Sequence, residues 1–452
     1  MALNTRELVL EMLQEIIVRQ EYSHLVIRQV LDKHNYLREE EKSFIKRVCV
    51  GTLEHLIQID YVLNQFSKVK VNKMKPIIRN ILRMSVYQLL YMDAVPDSAV
   101  CNEAVKLAEK KKFTQLKGFV NGVLRTIARQ KEEICYPQEQ EGEAEYLSIL
   151  YSMPRFLVEM WLKTYDVDTL KRILHGLLEE RPVTIRIDET LSSEAKKELL
   201  ASMEACGIAV QLHPYLPYAY EVKNMTGVST LPGFAEGEVM IQDVSSMLAV
   251  QAAGIREHDH ILDVCAAPGG KSLHMACKLR GTGLVEALDV SDYKVNMIQE
   301  NIDRMGYHNI TASVEDATRQ QSTRIQSADI VLADVPCSGL GVIAKKSDIK
   351  YRVTEQSLTE ITVLQKAIIH NVQAYVKPGG ILLYSTCTIH DTENEEMIRW
   401  IQEQYPFELE SIDPYIDEVL QSETTARGYL QILPDIHQAD GFFLARLRRK
   451  RS

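Results

Sequence analysis

Two cysteines and their surroundings carry most of the chemistry readable in this chain. Cys337 lies in Asp334-Val335-Pro336-Cys337-Ser338-Gly339 and Cys387 in Ser385-Thr386-Cys387-Thr388. A free thiol, with a pKa of about 8.5, is already a few per cent thiolate at neutral pH and intrinsically nucleophilic. One cysteine after a strand is ordinary packing. Two at strand ends, one of them behind Asp-x-Pro, point to a shared pocket in a chain with 8 cysteines. A third stretch, Asp263-Val264-Cys265-Ala266-Ala267-Pro268-Gly269-Gly270-Lys271, follows apolar Ile261-Leu262 and opens into helical Ser272–Cys277. Strand, Gly-rich turn and helix let backbone approach a nucleotide-like ligand. The candidate contacts are Cys265, Ala266, Ala267, Pro268, Gly269, Gly270 and Lys271; a purely structural turn is the alternative. The pattern is not GxGxxG. A phosphate-binding P-loop is excluded as well, because Cys265 stands at its first glycine position although Gly270-Lys271-Ser272 fits its end.

The elements that must hold these groups follow from the hydrophobic pattern. From Gly237 onward apolar strands end at Asp263, Asp289, Asp316, Asp334 and Cys387. Helical stretches intervene near 271–279, 293–305, 354–376 and 393–404. The alternation predicts a Rossmann-like α/β fold, a parallel doubly wound sheet whose strand order reverses between its first and fourth strands. Gly379-Gly380 is expected just before the fifth strand, and Gly441–Leu447 as a late antiparallel strand. Ligands bind beyond the carboxyl ends of such strands. Asp289 is then the acid for ribose hydroxyls, Asp316 flanks an adenine ring, and Lys294 packs along either; helix capping and solvation are the alternatives. Neighbouring strands lie about 4.8 Å apart, so Cys337 and Cys387 face one pocket.

Residues 1–130 read as helical throughout, opened by Asn4 and Glu7 in a capping-box pattern. Residues 131–145 read as an exposed linker, 146–236 as a small α+β subdomain, and 237–452 as the catalytic domain. Tyr215, Tyr218 and Tyr220 could stack on bases, but a core or surface role is the stronger expectation. Charge divides along the same boundaries. Residues 1–130 hold 21 Lys and Arg against 14 Asp and Glu, a balance of +7, while the remaining 322 hold 31 against 48, or −17. A basic front on an acidic remainder suits a polyanion partner. Lys68, Lys70, Lys73, Lys75, Lys110, Lys111 and Lys112 are the candidate phosphate contacts.

At 452 residues, 46% hydrophobic and 25% charged, the composition is that of a soluble globular chain of two or three domains. No apolar run reaches the roughly 18 residues of a membrane span. Met1-Ala2-Leu3-Asn4-Thr5-Arg6-Glu7 shows no secretory signal, and the cysteines show no zinc spacing or disulfide framework. A reduced cytoplasmic setting, no metal, no membrane and a monomer are expected.

The motifs at Asp263–Lys271, Asp334–Gly339 and Ser385–Cys387, in that order, resemble those of the RNA cytosine-5 methyltransferases of the Nol1/Nop2/Sun family. Gln242-Asp243-Val244-Ser245-Ser246 and Asp440-Gly441-Phe442-Phe443 also match, and the likeness spans roughly 153–447. Residues 1–130 resemble the RNA-binding domain of NusB, notably at Phe44–Leu53, so the whole chain resembles the bacterial small-subunit ribosomal RNA enzymes of that family. The resemblance implies a class I methyltransferase domain, S-adenosylmethionine as cofactor, and 16S ribosomal RNA or a small-subunit assembly intermediate as partner. It implies Cys387 as nucleophile toward cytosine C6, Cys337 in proton handling and adduct release, Asp334 on the base, and Lys271 orienting Asp334 or the pocket loops. DNA cytosine-5 methyltransferases use the Pro-Cys thiol instead, which keeps Cys337 as the alternative nucleophile. Glu315-Asp316-Ala317-Thr318 and Lys294 depart from the family text, loosening the adenine contacts. Another RNA such as tRNA, or a non-catalytic RNA-binding or antitermination role, are the alternatives.

Overall fold

Side chains alternate across the central strands with period two, and each set finds its own helical layer. Ile261, Val285, Ile330, Leu332, Leu383 and Leu444 pack with Leu248, Leu273, Ile298 and Ile302 on one face. Leu262, Val264, Val331, Ala333, Leu382 and Phe443 pack with Ile368, Val372, Ile398 and Ile401 on the other. Each such side chain, fully removed from water, contributes about 1.5–3 kcal/mol, and both sheet faces are covered. The computed structural model describes residues 4–225 and 227–451. Met1, Ala2 and Leu3, the start of the segment read as carrying no secretory signal, lie outside the described residues.

The chain divides into two units. The second, 179–342 with 353–452, contains two sheets. Strands β1 (Val183–Ile187), β2 (Ala209–Leu212), β3 (Ala219–Lys223) and β4 (Val239–Ile241) make an antiparallel sheet in the order β2-β3-β1-β4. Helix Ser193–Ala205 covers it through Leu199 and Met203. Strands β5 (His260–Asp263), β6 (Leu284–Asp289), β7 (Ile310–Val314), β8 (Ala328–Asp334), β9 (Val376–Thr386), β10 (Phe407–Leu409), β11 (Tyr429–Ile432) and β12 (Phe442–Arg449) make the larger one. Its order is β10-β12-β9-β8-β5-β6-β7, with β11 on β12; β5 to β9 are parallel and β12 runs antiparallel to β9. The reversal falls between β5 and β8, the first and fourth strands, as the pattern predicts.

Gly379-Gly380 differ from expectation. Strand β9 starts at Val376 and the glycines form an irregularity within it, where Ala328 pairs with Val376 but Ile330 with Ile381. Gly379 has φ +80°, which lets the strand bulge and resume register. The third strand also stops at Val314, before Asp316.

The first unit, residues up to Leu178 together with Ile343–Arg352, is helical. Asn4 caps the first helix by accepting from the Arg6 amide at 2.9 Å. Glu7 does not complete the expected box; its carboxylate meets Lys110 at 2.6 Å and Lys111 at 2.9 Å. The stretch 131–145 is largely exposed, as expected, and is tied to the helical unit. Gln65 brackets Cys135 with two hydrogen bonds, and Tyr136 stacks on Tyr61. The helices at Glu143–Leu150, Arg155–Trp161 and Val167–Gly176 group with this unit rather than with β1–β4, and β4 lies beyond the expected boundary at 236.

Sequence pattern gave no sign that Ile343–Arg352 belongs here. Lys350 donates to the Glu54 carbonyl at 2.7 Å and Tyr351 to that of Leu53 at 2.7 Å. Ser23 is bonded through its amide and hydroxyl to Asp348. Arg352 reaches the Glu21 carbonyl and lies over the Tyr22 ring.

Candidate active site

Strands β8 and β9 are neighbours, with Asp334 opposite Ser385 in register. Their continuations place Cys337 Sγ 3.0 Å from Cys387 Sγ, and the Cys387 amide donates to Cys337 Sγ at 3.3 Å. Asp334 is held from both sides: Lys271 Nζ lies 2.7 Å from Oδ2, and Ser385 Oγ donates to Oδ1 at 2.7 Å. Three strand ends, β5, β8 and β9, thus bring Lys271, Asp334, Cys337 and Cys387 together. Burial opposes the charge on Lys271, but Asp334 and Asp263 outweigh it and raise its pKa. Contact with Cys387, then burial, pushes the Cys337 thiol well above the usual range.

A polar scaffold fixes the two thiol loops from behind. Glu393, fully buried, accepts from the Ser338 amide at 2.9 Å and from Gln365 at 2.9 Å; Gln365 also donates to the Pro336 carbonyl at 2.9 Å. Asn394 accepts from Thr386 at 2.6 Å and donates to the Thr388 carbonyl at 3.0 Å. Backbone bonds join Gly341 to Cys387 at 3.0 Å and Gly441 to Gly341 at 2.9 Å, an approach so close that a Cβ on Gly341 would collide with Gly441. Nothing local in the sequence marked Glu393, Gln365 or Asn394, because their partners lie on other strands and loops.

The Gly-rich turn caps β5. Gly269 has φ +100°, a backbone that favours glycine, and leads into helix Gly270–Lys278 with no side-chain cap. A cleft of about 200 Å³ opens beside it, lined by Gln242, Asp243, Ser246, Asp263, Ala266, Ala267, Pro268, Gly270, Lys271 and Asp334. Cys265 is half-buried, packs against the apolar layer, and its thiol is held protonated by burial. Asp263 is enclosed: Ser272 Oγ donates to Oδ2 at 2.5 Å, and burial raises its carboxyl pKa to about 7. Sequence alone does not mark Asp263 and Gln242 as contacts, although both stand inside motifs that resemble those of the methyltransferases.

The outer acids are differently placed. Asp289 is buried at the end of β6 and receives the Ala267 amide at 3.0 Å, the Val290 amide at 2.7 Å and Lys294 Nζ at 2.9 Å, tying the Gly-rich turn to the next strand. Asp316 lies past β7 and accepts from the Thr318 amide at 2.9 Å and hydroxyl at 2.6 Å, which lowers its pKa; this is the turn-capping alternative. The tyrosine group has a core role: Tyr218 and Tyr220 are buried, Tyr218 bonding Gln251 at 3.0 Å, and Tyr215 bonds the His437 carbonyl at 2.9 Å.

In the helical unit Lys68, Lys70, Lys73 and Lys75 are exposed within one short span. Lys110 and Lys111 are instead neutralised by Glu7 and Glu11. No helix among the described residues is long and apolar enough to cross a membrane.

Comparison with known proteins matches residues 250–448 to a family described as 16S rRNA methyltransferase RsmB/F and residues 3–129 to the NusB family. A Bacillus subtilis (strain 168) protein named "Probable ribosomal RNA small subunit methyltransferase B" is 36% identical over 453 residues, 99% of each chain. The crystal structure of PH0851 is similar over 99% of this chain and 100% of that one, with TM-score 0.80 and 23% identity. NSun6 from Pyrococcus horikoshii, solved with SFG, is similar over 66% of this chain and 99% of that one, with TM-score 0.59 and 22% identity.

Proposed function

The chain belongs to the RsmB/F family of 16S rRNA methyltransferases, and from that premise we propose that it methylates C5 of a cytidine in 16S ribosomal RNA through a covalent cysteine adduct. The observation that carries this reading is the pair of thiols 3.0 Å apart beside a braced carboxylate. S-Adenosylmethionine supplies an electrophilic methyl group when bound. The cleft fits it on two counts: the start of helix Gly270–Lys278 is uncapped, and two enclosed polar atoms at the cleft, on Gln242 and Asp263, lack partners.

C5 of cytosine is a poor nucleophile, so the residues act on C6 first. The Cys387 thiolate forms a bond to C6, and the ring's electron pair moves to C5, which takes the methyl as the sulfonium S–CH3 bond breaks and its pair returns to sulfur. A base then removes the C5 proton, the ring pair returns, and the S–C6 bond breaks to release Cys387. Asp334, aligned by Lys271 and Ser385, accepts from the N4 amino group of the base, and from N3 once that nitrogen is protonated as the thiolate adds. Cys337, kept protonated beside Cys387, holds a proton where the adduct must collapse. The target base must leave its stack to reach these groups, so an unpaired or loop cytidine is the substrate. The exposed lysines of the helical unit supply backbone contacts that set register.

Bisulfite sequencing of 16S ribosomal RNA from a deletion strain tests this. One 5-methylcytidine disappears and returns on complementation; an unchanged modification map refutes the substrate.

A further inference from the structure

The cleft beside the Gly-rich turn contains a donor and an acceptor that the fold leaves unmet. Gln242 follows β4 and is 6% exposed. Its backbone N–H donates to the Thr184 carbonyl at 3.2 Å, and its side-chain Oε1 accepts from Arg186 Nε at 3.1 Å. The reverse amide orientation would set two donors against each other, so Arg186 fixes which end is which. Nε2 is then left enclosed with no hydrogen-bond partner, on a side chain that lines the cleft. Asp263 lines the same cleft; Ser272 occupies its Oδ2 while Oδ1 has no partner. Enclosed polar atoms without partners are destabilising, and groups of them at one cleft mark where a ligand's atoms belong.

The ligand must answer both signs. A phosphate would suit Gln242, Lys271 and the uncapped helix start but would face Asp263, Asp334 and Asp243. A flipped pyrimidine belongs beside Cys337 and Cys387, neither of which lines this cleft. An α-amino acid zwitterion offers both. Resting on the reading that S-adenosylmethionine is the donor, we propose that Gln242, oriented by Arg186, binds the carboxylate of the donor's amino-acid end, with Asp263 receiving its ammonium. Gln242 is thereby a specificity residue and Arg186 a positioning residue.

The test compares two ligands by calorimetry on the full chain: S-adenosylhomocysteine, which keeps the amino-acid end, and 5′-methylthioadenosine, which lacks it. Wild type prefers the first. In Gln242→Leu the affinity for S-adenosylhomocysteine falls by about tenfold and that for 5′-methylthioadenosine stays put, the loss expected for one charge-assisted hydrogen bond. Gln242→Glu, which sets carboxylate against carboxylate, weakens the first ligand further and still spares the second. Arg186→Lys lowers the preference partway, as befits a residue acting through another. Unchanged 5′-methylthioadenosine binding also shows that each variant is folded. Equal weakening of both ligands, an undiminished preference, or a loss confined to RNA affinity would each overturn the assignment. Wild type binding neither ligand would instead sink the donor reading itself.

Discussion

In the helical unit Arg83 is nearly buried, yet its guanidinium is answered twice by Asp60, at 2.6 and 2.8 Å, and again by Asn80 at 3.1 Å. In the catalytic unit His274 is fully buried, with Nε2 3.4 Å from Glu189 Oε1 and Nδ1 without a partner, and burial lowers its pKa to about 3. The contrast is general. Of twelve enclosed side-chain atoms without a hydrogen bond among the described residues, two, on Arg79 and Trp161, belong to the helical unit and ten to the catalytic one. A unit that only presents a surface can satisfy its interior. Only two of those ten, on Gln242 and Asp263, belong to residues that line the cleft, and each costs about 1–3 kcal/mol while it lacks a partner.

The largest expected effect would break that contrast if it failed to appear. Cys387→Ser drops methyl transfer below about one thousandth of wild type, as loss of a nucleophile does. Cys337→Ser leaves addition intact and accumulates a covalent protein–RNA adduct visible on a denaturing gel. An adduct that survives in Cys387→Ser and is absent in Cys337→Ser reverses the two roles. Cys387→Ser leaves RNA affinity unchanged, because the proposed phosphate contacts are lysines of the other unit.

Each unit also buries one group whose pKa sits near 7, and the two respond to pH with opposite sign. Burial raises Asp263 from the ordinary carboxyl range to about 7, so between roughly pH 4 and 7 the folded chain holds a proton that the unfolded chain has released. Stability of the catalytic unit therefore falls as pH rises through that window, by up to about 1.4 kcal/mol per unit. Burial lowers Lys350 to about 7, so between pH 7 and roughly 10 the unfolded chain holds the extra proton and stability of the helical unit rises with pH. Asp263→Asn flattens the first slope and Lys350→Met the second. The chain's two tryptophans make this separable, since Trp161 lies in the helical unit and Trp400 in the catalytic one. Denaturation followed by each alone, with the other changed to Phe, reads the two slopes; a common slope would contradict the assignment.

Which parts of this were legible in sequence follows from how local their causes are. The Gly-rich turn, the ends of β5, β6 and β8 and the facing of Cys337 and Cys387 are set by periodicity and strand order, whereas β7 stops at Val314, short of Asp316, and β9 at Thr386, one residue short of Cys387. Lys271 pairing with Asp334 came from resemblance and is met at 2.7 Å. Ile343–Arg352 could not be read. It follows the Cys337 loop in sequence, yet Asp348, Lys350 and Tyr351 bond to residues some 300 positions away. Glu393 was hidden for the same reason, as a carboxylate whose partners are a loop amide and a helix glutamine. The segment also changes one experiment. Removing residues 1–130 would strip the partners of Lys350 and Tyr351, so loss of function on deletion would not separate RNA binding from folding.

Charge removal separates them. Lys68, Lys70, Lys73 and Lys75 changed together to Gln weaken RNA binding by about tenfold or more at moderate salt and reduce the salt slope by about one for each phosphate that is no longer neutralised. S-Adenosylhomocysteine affinity and the rate at saturating RNA stay at wild-type values. An unchanged salt slope would remove this span from the RNA-contacting surface.

The smallest effect is the control that gives the lysine result its meaning. Lys110 and Lys111 were equal candidates by sequence, but Glu7 stands 2.6 and 2.9 Å from them and Glu11 3.1 Å from Lys111. A lysine already neutralised gains little from a phosphate, because it must give up one anion to take another. Lys110→Gln and Lys111→Gln should therefore shift RNA affinity by less than about twofold, while costing up to about 1 kcal/mol of stability as the surface pairs are removed. Should these two weaken RNA as strongly as the four exposed lysines, the Glu7 pairing gives way on binding. Net charge of the span, rather than which lysines stand unpaired, would then govern where the RNA lies.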